Sequence, residues 1–130
     1  DVEYADNLVN TFYENFPKVK EFMEETKEES KQMGGLTLFT GRKWECLQGM
    51  EYQAVNAIIQ GSCADLTALA VIRVSNYLKR NNLGSILSII HDELLFSLKS
   101  EDCIPEIVKR MQMIDLFNIP FLVDVDKSYT

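Results

Sequence analysis

Two adjacent carboxylates, Asp92 and Glu93, stand between the apolar runs 85–90 and 94–98. Neighbouring carboxylates held at the tip of an apolar hairpin could offer hard oxygen ligands to a cation such as magnesium. That ion usually takes only one or two carboxylates and completes its shell with water and phosphate. A solvated polar turn is the ordinary alternative for the same residues. His91, the only histidine, precedes them directly and could be a structural hydrogen-bonder as readily as a ligand. Asn56 and Gln60 lie four apart on a helical pattern and so share one face. They could be two amide donors reaching a ligand or two plain polar positions.

These residues need elements to hold them. Residues 5–32 carry Val9, Phe12, Phe16, Val19 and Met23 at helical spacing, and Pro17 is expected to split the run into two helices closed by Asn15 or Phe16. Gly34-Gly35 ends it, 36–40 is a short strand candidate, and Gly41-Arg42-Lys43 reads as a turn. From about Met50 to Arg80 runs the longest helical pattern, whose wide apolar face is expected to pack on both sides. Gly61, Ser62, Cys63 and Ala64 form a small-residue notch in it, open to another backbone or a ligand.

Asn81-Asn82-Leu83-Gly84 is a turn. The two apolar runs after it fit a helix or a hairpin by periodicity; their strand length and isoleucine content favour a hairpin over 86–98, with Asp92 exposed at its tip. The tip lacks the Asn-Gly or Asp-Gly of tight hairpins, and a turn that breaks the local rule is where a functional site is expected. A helix from Glu101 to about Leu116, capped by Ser100, and a closing strand from Phe121 to Val125 complete the chain. The order predicts an α+β fold: an antiparallel sheet with a hairpin, packed against helices on one face.

The bulk numbers bound the reading. A chain of 130 residues suits one domain, and no run of about 18 uninterrupted apolar residues suggests a membrane span. The acidic N-terminus is unlike a signal peptide, and the absence of Met there suggests a start inside a longer reading frame. Three cysteines without paired spacing argue against zinc or a disulfide framework and for reduced thiols. A net charge of −7 argues against strong nucleic-acid binding by the isolated chain, since phosphate neutralisation normally supplies that affinity. It is compatible with gathered carboxylates.

Taken together, Asn56, Gln60-Gly61-Ser62 and Ala64-Asp65, followed about thirty residues on by Ile89-Ile90-His91-Asp92-Glu93, resemble the palm of family A DNA polymerases. This is the family of bacterial DNA polymerase I and many phage replicative enzymes. The segment Phe12–Pro17 with Val19 resembles the stretch after the fingers, 38–42 the turn beyond it, and 120–125 the closing strand. Tyr52 and Ile58 stand where the family often has Arg and Pro, and the short linker from Arg42 to Asn56 is similar to the phage branch.

The resemblance implies a single partial domain over 1–130, the C-terminal part of the palm. Residues 1–49 would be post-fingers helices and short strands, and 50–130 the palm helix, hairpin, helix and closing strand. It implies DNA-directed, template-dependent addition of deoxynucleotides to a primer 3′ end, in replication or repair, by a nucleotidyltransferase. Two magnesium ions would stabilise the attacking and leaving oxygens. Asp92 and Glu93 would be catalytic metal ligands, with Asp92 the more important. Asn56, Gln60 and His91 would share one concave surface near Asp92 and face the primer–template minor groove. Acceptors there occur in either base-pair orientation, so donors test pair geometry without reading sequence.

The implied partners are primer–template DNA, deoxynucleoside triphosphates, and the remainder of the polymerase in the same or another chain, without a membrane. The implied place is the cytoplasm of a bacterium or phage-infected cell. The family's upstream catalytic Asp and its triphosphate-gripping fingers helix have no counterpart here, so the isolated chain is expected to be inactive. The alternative is a catalytically inactive palm-like structural or interaction fragment.

Overall fold

The computed structural model describes residues 2–112 and 119–127. The chain forms two compact units, 1–62 and 63–130.

In the first unit, α1 (Val2–Asn15) stops where Pro17 withdraws a backbone donor, and α2 (Pro17–Met33) restarts with that proline at its first turn. The break falls where the sequence places it. Gly34, at φ +67°, closes α2 in the left-handed conformation that glycine adopts without a Cβ penalty. Strands β1 (Gly35–Thr37) and β2 (Lys43–Glu45) pair antiparallel, with Leu36 opposite Trp44. The loop between them is closed by the Leu38 N–H to the Arg42 carbonyl and the Gly41 N–H to the Leu38 carbonyl, both 2.8 Å. A 3-10 turn (Glu51–Gln53) then leads into α3 (Ala54–Asn81).

Leu36, Leu38, Ala54 and Ile58 form this unit's core, with Phe22, Phe39 and Trp44 packed on it. By contrast α1 buries no residue: Val9 and Phe12 stay about half exposed, as does Phe16 just after the helix.

Helix α3 buries Ala54, Ile58, Ser62, Leu66, Ala70, Val74 and Leu78, one residue in every four. Four residues overshoot a 3.6-residue turn by about 40°, so the buried stripe winds around the helix. That corrects the expectation of a helix packed on both sides, because Ile59, Leu69 and Ile72 remain exposed. By length and mean hydropathy the run Glu51–Asn81 would also suit a bilayer. Polar residues nonetheless recur along it (Asn56, Gln60, Asp65, Arg73, Asn76), and Val74 and Leu78 are buried in a protein core.

In the second unit, α3 ends in a Schellman motif. The Leu83 N–H reaches the Leu78 carbonyl, and the N–H of Asn82, left-handed at φ +53°, reaches that of Lys79. Strands β3 (Gly84–Ile90) and β4 (Glu93–Leu98) then pair antiparallel. The register shifts between Ile86 and Ser88, making Leu87 the extra residue of a β-bulge. Ile86 opposite Phe96 and Ile89 opposite Leu94 therefore share one face, and Ser88 opposite Leu95 the other. Val74, Leu78, Cys103 and Ile107 form the core against which Ile86, Phe96 and Leu98 pack.

Ser100 accepts the Asp102 N–H and opens a 3-10 turn (Glu101–Cys103) that continues as α4 (Ile104–Gln112). The capping reading holds, the expected helix begins as 3-10, and its last turn lies outside the described residues. The closing strand is corrected. Ile119 makes an isolated bridge, but 121–125 join no ladder. Phe121 instead packs by its side chain beside Leu66 and Ala70. The alternation of apolar and polar residues there records half-burial of Phe121 and Val123 without sheet pairing. The architecture is α+β, two small antiparallel sheets packed against helices.

Candidate functional site

The hairpin tip is two residues long. Ile90 and Glu93 form the last cross-strand pair, leaving His91 and Asp92 as the turn. His91 sits at φ +56° and Asp92 does not share that sign. Positive φ in a two-residue hairpin turn ordinarily belongs to glycine, asparagine or aspartate. Histidine enters the left-handed region more readily than most side-chain-bearing residues, yet still at a cost. His91, Asp92 and Glu93 are all exposed, and Glu93 opens β4 on the face shared with Leu95. The expected hairpin, with Asp92 exposed at its tip, is therefore present.

Beside the hairpin lies a concavity of about 650 Å³. Phe96, Ile107 and Met111 lie in its wall with Asp92, Glu93 and Asp124. The final described segment is tied down next to it by Lys127, whose Nζ lies 2.5 Å from the Glu101 carboxylate.

In the first unit, Asn56 and Gln60 are exposed one turn apart on the same face of α3. The notch after them is filled. A Cβ on Gly61 would lie 2.8 Å from Leu38 Cδ1 and 3.3 Å from Arg42 Nη2. Ser62, buried, donates to the Ile58 carbonyl at 2.6 Å and accepts the Phe39 N–H at 3.1 Å. Arg42 Nη2 donates to the Gly61 carbonyl at 3.3 Å. The small residues thus admit the 38–42 turn onto the helix. Sequence reasoning saw the notch but not Ser62 and Arg42 as the groups that use it; the hydroxyl at position 62 was the available signal.

The structure gathers His91, Asp92 and Glu93 at one tip, and Asn56 with Gln60 on one helix face. Among the described residues no three His, Cys, Asp or Glu side chains come together as a complete metal cage. Two adjacent exposed carboxylates suit a share of a magnesium site, because that ion keeps several waters and takes few protein ligands.

The sequence pattern of DNA polymerase family A matches residues 1–129. The chain belongs to DNA polymerase family A. DNA polymerase I of Caldicellulosiruptor bescii is 38% identical over 138 aligned positions, covering 95% of this chain and 16% of that protein. Its Bacillus subtilis counterpart is 30% identical, covering 92% of the chain and 15% of the protein. A solved structure of the polymerase domain of Pol1 from M. smegmatis, in complex with DNA primer-template and dNTP, superposes with a TM-score of 0.80 at 26% identity. It covers 92% of this chain and 24% of that one. The chain thus spans about a sixth of the length of these curated family A relatives.

Proposed function

We propose that this chain is the C-terminal part of the palm of a DNA-directed DNA polymerase, working as part of a longer or split enzyme in replication or repair. The observation that carries the reading is the exposed pair Asp92 and Glu93, Asp92 on a strained two-residue tip and Glu93 at the start of the strand after it, in a chain of this family. In this reading Asp92 holds the cation and Glu93 supports it from the first position of β4. Magnesium, when bound, supplies positive charge to the attacking and leaving oxygens of phosphoryl transfer.

The chain's own residues bind and orient. Asn56 and Gln60 present amide donors to the minor groove of the primer–template duplex, and His91 adds a ring N–H from the tip. Donors to acceptors that every base pair offers there favour correct pair geometry over any sequence. The Pol1 relative solved with primer-template and dNTP supports these as the partners. The setting that follows is the cytoplasm of a bacterium or of a phage-infected cell.

Primer extension tests the proposal. The isolated chain should not extend a primer, because one carboxylate pair is only part of a two-metal clamp and the net charge of −7 repels phosphate. The complete polymerase, in one chain or two, should extend it. A complete assembly that folds, binds primer–template and does not extend would favour the structural-fragment alternative.

A further inference from the structure

Duplex binding draws most of its affinity from cations placed on phosphates, whereas groove-facing amides add little charge. From Ala54 to Ile72, α3 contains no Lys or Arg. The helix that presents Asn56 and Gln60 therefore brings no cation of its own to that stretch. The structure sets one on it from elsewhere. The 38–42 turn is fixed against α3 by the Phe39 N–H to Ser62 Oγ, by Leu38 packed over Gly61, and by Arg42 Nη2 on the Gly61 carbonyl. Arg42 remains exposed, and Gly61 is the residue after Gln60.

We infer that the turn exists to hold Arg42 as a contact to the phosphate backbone of the primer–template duplex, beside the amides of α3. The inference rests on the proposed duplex-facing role of Asn56 and Gln60. Ser62 and Gly61 are then positioning residues: a buried hydroxyl that ties the turn to the helix, and a missing side chain that lets the turn approach. Arginine suits the task because its planar, always charged fork matches phosphate geometry. The contact reads no sequence.

The test uses the complete polymerase and measures primer–template Kd against salt, with the Km for deoxynucleoside triphosphate. Arg42→Gln keeps an N–H donor for the Gly61 carbonyl and removes the charge; Arg42→Lys keeps the charge. One phosphate contact contributes about 0.9 to the slope of log K on log salt. Arg42→Gln should weaken binding for every duplex sequence and lower that slope by about this much. Its disadvantage relative to wild type should then shrink by about threefold between about 50 and 200 mM salt. Arg42→Lys should keep the slope, and the triphosphate Km should not move. An Arg42→Gln enzyme with wild-type slope and unchanged melting temperature overturns the inference. So does a raised triphosphate Km with unchanged duplex binding, which would assign Arg42 to the incoming nucleotide. Gln60→Ala separates the two readings. It should weaken binding without altering the slope; if it has no effect while Arg42→Gln lowers the slope, the minor-groove role fails and the phosphate contact stands.

Discussion

Ile90 and Glu93 face each other as the last pair of the β3–β4 hairpin, so His91 and Asp92 make the whole turn and His91 alone carries positive φ. The metal candidate is therefore aimed by a residue under backbone strain. A β-branched side chain tolerates that region worst, and glycine tolerates it freely. His91→Val should lower stability by about 1–3 kcal/mol, whereas His91→Gly should hold it within about 1 kcal/mol. Urea denaturation of the two variants checks the contrast. Equal midpoints would mean that the tip does not hold His91 in this conformation.

The base of the hairpin depends on a missing side chain. A Cβ on Gly84, at φ +138°, would lie 2.1 Å from the Ser97 carbonyl oxygen and 2.9 Å from Leu98 Cα. Both are backbone atoms of the paired strand and cannot step aside. Gly84→Ala should cost about 1–3 kcal/mol from crowding. It should also lower amide protection from Gly84 to Leu98 before it affects α4. Hydrogen exchange reads both.

Much of this was legible in the residues, for identifiable reasons. Pro17 marks the helix break because it removes a donor, and Asn82 marks the end of α3 because asparagine tolerates the left-handed turn. Strand-length apolar runs flanking three polar residues gave the hairpin and its exposed Asp92. The bulge at Leu87 was not legible, since alternation alone would have put Ser88 and Phe96 on one face. The strand expected at 121–125 failed because periodicity reports which side chains are half-buried, not whether a ladder partner lies alongside. The apolar face of α1 shows the same limit: its spacing marks a face without saying what covers it.

Helix α3 offers a comparison within one element. Leu78 is 1% exposed in the core under the hairpin, while Ile72 is 56% exposed. In the 130-residue chain, Leu78→Ala should cost about 2–5 kcal/mol through lost burial and a residual cavity. Ile72→Ala should stay within about 0.5 kcal/mol. Thermal unfolding of the pair distinguishes a helix buried on one winding stripe from one buried all round. Similar losses would restore the all-round reading.

In the proposed function, Asp92 binds the cation of a polymerase site. Asparagine in its place keeps the size of the side chain and removes its charge, and an exposed tip position contributes little to packing. The decisive measurement is primer extension by the complete polymerase carrying Asp92→Asn, with melting temperature and primer–template Kd measured alongside. Extension should be nearly abolished while folding and duplex binding persist. An Asp92→Asn enzyme that extends primers at the wild-type rate would contradict the metal assignment.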